Sequence, residues 1–128
     1  MSTTPPDDRR YSHEHEWVRV EGSAAVIGIT SFAAEELGDI VYVELPEPGA
    51  SLAQFASFGV VESVKAVSDL FAPVSGEVAE VNADLRASPE LLNSDPFGAG
   101  WIAKVTLADP AEMEKLLDAA AYAELTAG

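Results

Sequence analysis

Between Trp17 and Leu107 the apolar residues come in short runs, each closed by a turn signal, and this limits the fold more than any other feature. "WVRV" is closed by "EGS", "DIVYVEL" by "PEPGA", "AVSDLF" by "APVSG" and "WIAKVTL" by "ADP". Runs of this length, rich in Val, Ile and aromatics and bounded by Gly, Pro and Asp, read as strands. The prolines fall between the runs, where they break no ladder. The pattern predicts a mainly β chain: a small sandwich or flattened barrel of two antiparallel sheets, with short helices and a C-terminal α-helix.

The first two runs make a hairpin, with Trp17, Val18 and Val20 on one strand and "AAVIGIT" as the other. "TSFAAEELG" reads as a helix of about two turns, capped by Thr30 or Ser31 and ended by Gly38. In "DIVYVEL" strict alternation sets Val41 and Val43 on one face and Ile40 and Tyr42 on the other. "SLAQFASFGVVESV" supplies one or two strands and "AVSDLFAPVSGEVAEVN" two more. "SPELLN" holds a helical turn. Asp109 as cap and Pro110 at the first helical position open a terminal helix over about 110–125, with Met113, Leu116, Leu117 and Ala120 on its apolar side. "GDIVYVEL" and "GEVAEVNADL" open alike, which implies two similar half-units facing each other.

Residues 1–10 are polar, with two prolines, and read as a flexible tail; 11–128 read as one domain. Seven basic residues against 22 acidic ones give a formal charge of −15, which repels nucleic-acid backbones and anionic membranes. Such a surface favours solubility and steers basic partners toward it. With no cysteine, disulfides, thiolate metal sites and a cysteine nucleophile are excluded. The start, "MSTTPPDDRR", lacks an apolar leader, so the expected location is the cytoplasm. No Gly-rich phosphate loop, nucleophile elbow or Ser/His/Asp arrangement stands out, so a self-sufficient enzyme is not expected. His13 and His15 in "HEHE" would face one way on a strand, but there is no further histidine to complete a metal site.

One residue departs from the pattern. Lys65, one of three lysines, stands centred between the strand-like runs "GVVESV" and "AVSDLFAPV". The usual Asn-Gly or Asp-Gly of a two-residue hairpin turn is absent there. Glu62 and Asp69 bracket it, placed to orient a modifying enzyme or to pair with the ammonium. A lysine projecting from a hairpin tip suits acylation, which removes its charge and lengthens the arm.

Several stretches together resemble the H proteins of the glycine cleavage system: "HEW" with "VIGIT", "LGDIVYVELPEPG", "VESVKAVSDLFAPVSGEVAEVN" and "SPELLNSDPFGAGW", in family order over about residues 11–125. The resemblance implies a lipoyl-domain fold, with lipoate in amide linkage on Lys65. It implies a mobile substrate, not a catalyst. The arm would take an aminomethyl group from the pyridoxal-phosphate glycine decarboxylase (P protein). It would present that group to the aminomethyltransferase (T protein), and the resulting dithiol to dihydrolipoyl dehydrogenase (L protein). Glu62 matches the acid that guides the lipoylating enzyme, Asp69 the family's aspartate near the arm, and Gly76 its glycine beside the hairpin. Where some members line the arm pocket with a histidine, this chain has Phe32. Glu14 and Glu16 both fall near the family's N-terminal acidic contact. Two other readings stay open: a lipoyl donor in lipoate relay, and an unmodified acidic interaction module.

Overall fold

The computed structural model describes residues 5–127. Its strands are β1 (Arg10–Tyr11), β2 (Glu16–Glu21), β3 (Ala24–Ile29), β4 (Ile40–Glu44), β5 (Ser51–Leu52), β6 (Ser57–Ser63), β7 (Val67–Phe71), β8 (Gly76–Val81) and β9 (Ala103–Leu107). Its α-helices are α1 (Ser31–Leu37), α2 (Asp84–Ala87), α3 (Leu91–Ser94) and α4 (Ala119–Ala127), with a 3-10 helix at Pro110–Lys115. A six-stranded sheet in the order β1-β2-β3-β9-β8-β5 faces a three-stranded sheet in the order β4-β6-β7, and the paired strands are antiparallel. The expected two-sheet β architecture is what forms.

Local signals account for much of it. In the β2–β3 hairpin Glu21 pairs with Ala24 across a two-residue turn in which Gly22 takes φ 65°. The Thr30 side chain caps α1 by accepting from the Ala33 N–H, and Gly38 ends it. The two similar stretches become β4 and β8, one in each sheet.

Between the sheets Ile29, Val43, Val61, Leu70, Leu85 and Ile102 share one buried cluster, while Val18, Ile27, Val74, Val78 and Val105 form a second. Each fully buried Leu or Ile contributes about 2 kcal/mol. A third cluster, Tyr11, Trp17, Val26 and Tyr122, lies on the outer face of the larger sheet, where α4 covers it. A Cβ on Gly28 would lie 2.5 Å from the Trp17 indole, so the bare backbone is what lets the ring lie flat there.

Three details differ from the sequence reading. In β4 the alternation is broken: a bulge between Ile40 and Tyr42 leaves Ile40 and Val43 buried and both Val41 and Tyr42 exposed. The terminal helix is two pieces. The backbones of Tyr11 and Leu117 exchange two hydrogen bonds of 2.8 Å each, which hold Leu117 extended, and Asp118 recaps the chain for α4. Residues 1–4 of the expected tail lie outside the described residues. From Arg9 the chain is held: its guanidinium sits 4.5 Å from the Trp17 ring centroid and donates to the Phe97 carbonyl, and Arg10 pairs with Val18. Among the described residues no helix is long and apolar enough to cross a membrane.

Candidate functional site

Lys65 is exposed at the tip of the β6–β7 hairpin, in a connection of three residues, Val64 to Ala66. Ser63 shapes this turn. Its N–H donates to the Ala66 carbonyl, and its Oγ accepts from the N–H groups of Lys65 and Ala66 at 3.2 and 3.1 Å. A serine hydroxyl thus replaces the glycine-based turn that the sequence lacks. Ser63 was not among the sequence candidates; a serine immediately before a non-Gly turn was its signal.

The tip is also braced from below. The Val64 N–H donates to the Asp39 carbonyl at 3.0 Å, and the Lys65 stem lies over Gly38. Gly38 has φ 82° and ψ −159°, a conformation essentially restricted to glycine. Asn93 on α3 fixes this junction, donating to the Gly38 carbonyl and accepting from the Ile40 N–H, both at 2.9 Å. Helix α3, the start of β4 and the lysine tip are therefore connected by hydrogen bonds and direct contact.

Glu62 pairs with Val67 and with Tyr42, and Asp69 pairs with Val60. Directly opposed residues share a face, so Glu62, Asp69, Tyr42 and Val67 all stand on the outer side of the smaller sheet. Neither ion pair among the described residues, Arg9–Asp8 and Arg19–Glu21, involves Lys65. The flanking acids leave its ammonium free.

Phe32 sits in the first turn of α1, about 9 Å along the axis from Gly38 at 1.5 Å per residue. Its ring contacts His15, with centroids 4.7 Å apart. The Nδ1 of His15 lies 2.9 Å from the Tyr122 hydroxyl, which is 2.7 Å from Thr30 Oγ1. Burial lowers the His15 pKa against the raising fields of Glu14 and Glu36. The cavity beside Phe32 is about 20 Å³, room for a single water. "HEHE" is not the strand that the alternation implied: His15 has φ 72°, and the two histidines part company. His13 instead joins Ser12, Glu14, Phe55 and Phe71 around a cavity of about 280 Å³.

Glu16 is bonded to two residues of that lining, Ser12 and Phe71, and is only 1% exposed. Ser12 Oγ is 2.5 Å from one carboxylate oxygen, and the Phe71 N–H donates to the other at 3.1 Å. Burial pushes its pKa up to about 7; the hydrogen bonds from Ser12 and Phe71 oppose this and the charge of Glu14 adds to it. The contact to Phe71 ties β2 of the larger sheet to β7 of the smaller.

Comparison with known proteins fits this geometry. The family model described as glycine cleavage H-protein matches residues 9–127. The chain belongs to that family. It is 60% identical over 121 residues to the glycine cleavage system H protein of Symbiobacterium thermophilum, covering 94% of each chain. It is 61% identical over 117 residues to that of Brevibacillus brevis, covering 91% of this chain and 93% of the relative. The crystal structure of a glycine cleavage system H protein from Mycobacterium marinum superposes with a TM-score of 0.89 at 41% identity, covering 97% of this chain and 100% of that one.

The family resemblance and the fold it implied are thus both found. Of the residues singled out, Lys65, Glu62 and Asp69 share the smaller sheet, and Phe32 stands at the other end of the helix whose end touches the Lys65 stem. Gly76 is elsewhere: it opens β8 in the larger sheet, where a Cβ would lie against the Thr106 carbonyl oxygen. Among the described residues no group of three or more His, Cys, Asp or Glu side chains could hold a metal.

Proposed function

We propose that Lys65 carries lipoate in amide linkage and that residues 11–128 act as one carrier domain of the glycine cleavage system, a substrate and not a catalyst. One observation carries this reading. The lysine projects, unpaired, from a three-residue tip whose backbone is held by Ser63, by the Asp39 carbonyl and by the Gly38 contact. These residues fit the group: the tip fixes the direction of the stem, and acylation at Nζ breaks no ion pair among the described residues.

A lipoyl group, when attached, supplies a sulfur pair that accepts a one-carbon amine and is reoxidised afterwards. The chain's own residues hold and aim the arm, and Glu62 and Asp69 flank its root. Tethering raises the effective concentration of the carried group at each partner's site. The partners in this reading are the P, T and L proteins and a lipoylating enzyme, and the setting is the cytoplasm; family membership supports both. The hard chemistry stays with the partners' cofactors.

Intact mass after incubation with a lipoate ligase, lipoate and ATP tests the assignment. One lipoyl addition is expected, and none in Lys65→Arg. Lys104, on β9, and Lys115, in the 3-10 helix, are expected to stay free. An unmodified wild type, or lipoate mapped to either of those lysines, refutes it. Glycine–bicarbonate exchange by the P protein is expected to require the lipoylated form.

A further inference from the structure

The chain has 7 basic residues against 22 acidic ones, yet three of the basic side chains gather around three aromatic rings. On the outer face of the larger sheet, which does not carry Lys65, Trp17, Phe97 and Trp101 line a cavity of about 190 Å³ together with Val26, Arg19 and Lys104. Both tryptophans of the chain are in it. Arg9 stacks on two of the rings, its guanidinium 4.5 Å from the Trp17 centroid and 5.4 Å from that of Phe97. Sheet register places the other two cations. Arg19 on β2 pairs with Val26 on β3, and Val26 with Lys104 on β9, so all three share a face. The roots of the two cations stand two strand spacings apart, about 10 Å, on either side of Val26.

The walls of this cavity are held. The Trp17 indole N–H donates to the Pro96 carbonyl at 3.0 Å. Asp95 braces the turn that carries Phe97: its carboxylate accepts from the Ala99 N–H at 2.8 Å, and its carbonyl accepts from the N–H groups of Gly98 and Gly100. The Asn82 amide donates to the carbonyls of Ala99 and Trp101, both at 2.8 Å. The cations have capacity to spare. Lys104 Nζ lies 5.5 Å from the Trp101 ring centroid and forms no ion pair among the described residues, although Glu80 stands opposite it on β8. Arg19 gives one nitrogen to Glu21 at 2.7 Å, and a guanidinium has five N–H donors. Stems that served only to cover the rings would lie across them and close the space, whereas here an open volume remains. A preformed cavity with aromatic walls and a few placed polar groups suits a small ligand. A cavity of about 150 Å³ takes a benzene ring, so this one takes a single ring with a short substituent. The ring faces select a planar aromatic body, and the ammonium and guanidinium select an anionic substituent. We propose that this cavity binds a small aromatic carboxylate, its ring against Trp17, Phe97 and Trp101 and its carboxylate between Arg19 and Lys104. The site is independent of Lys65 and its modification.

The probe is phenylacetate, titrated into the full chain and followed by the indole N–H resonances of Trp17 and Trp101 in NMR spectra. Both resonances are expected to move, and to saturate. Phenylacetamide, of the same size but uncharged, is expected to bind about tenfold more weakly, the worth of one charge-assisted hydrogen bond. Lys104→Gln is expected to lose about the same factor for phenylacetate, while Lys104→Arg keeps most of the affinity, which a merely structural role for the stem would not predict. Lys115→Gln, a cation outside the cavity, is expected to match wild type. Added salt is expected to weaken phenylacetate and to leave phenylacetamide unchanged. Indole resonances that stay still throughout the millimolar range overturn the proposal. Equal binding of the acid and the amide overturns it too, as does a Lys104→Gln variant that binds phenylacetate as wild type does.

Discussion

The Cε of Lys65 lies over Gly38, 3.5 Å from where a Cβ on that glycine would sit. That spacing is ordinary van der Waals contact, so an alanine methyl would touch the stem without clashing. The demand for glycine at position 38 comes instead from its backbone, at φ 82° and ψ −159°. Gly38→Ala is expected to lose about 1–3 kcal/mol. The measurement is a fall in the denaturant midpoint at unchanged slope. An alanine variant as stable as wild type would show that the junction relaxes freely, and that the lysine does not depend on it for direction.

Asn93 makes a second demand on the same junction. One side chain satisfies both the Gly38 carbonyl and the Ile40 N–H. Asn93→Ala leaves both without their partner, which is expected to cost about 2 kcal/mol. The loosening should reach the tip, because Val64 bonds to Asp39 between them. Hydrogen exchange is the direct readout: the amides of Ile40 and Val64 should exchange faster in the variant, while those of β9 keep their protection. Uniform acceleration across all strands would instead indicate global destabilisation with no local path.

What could be read from the chain, and what could not, follows from how far away the deciding partner lies. Thr30 and Gly38 bound α1 through contacts within their own helix, so both ends were legible. The lysine hairpin was legible too, because its strands are neighbours in sequence. The face assignment in "DIVYVEL" failed because the bulge depends on how β4 registers against β6. The terminal helix looked continuous because Met113, Leu116, Leu117 and Ala120 fit a helical period. In fact Leu116 is buried and Met113 and Leu117 half-buried through a 3-10 turn and an extended link, set by Tyr11 pairing with Leu117 from the other end of the chain, and Ala120 is exposed. Asn93 gave no local signal, since both of its bonds go to residues more than fifty positions away.

Gly76 separates packing from recognition. An added Cβ would clash with the Thr106 carbonyl oxygen, a backbone atom that cannot swing aside. Gly76→Ala is expected to lose about 1–3 kcal/mol by overpacking. Its folded fraction is expected to be lipoylated at the wild-type rate, because the residue lies in the sheet that does not carry Lys65. A variant that keeps its stability but is modified slowly would give Gly76 a part in recognition instead.

Glu16 should leave its mark on the pH dependence of stability. In the folded chain its pKa is pushed from an ordinary 4.5 to about 7, chiefly by burial. The folded state therefore holds a proton that the unfolded state has already released, throughout the window between those values. Stability falls as pH rises through this window, and the loss is complete above about pH 7, amounting to about 3 kcal/mol. His15 acts in the opposite sense. Its lowered pKa favours the neutral ring when folded, so it adds stability as pH rises through the histidine range. The measurement is therefore a comparison, because Glu16→Gln keeps His15 unchanged and removes only the carboxyl. Urea unfolding of the two proteins between about pH 5 and 8 should show the wild type losing more stability than the glutamine variant. Parallel curves would mean that the carboxylate ionises in place at little cost, with water reaching it from the cavity beside Ser12 and Phe71.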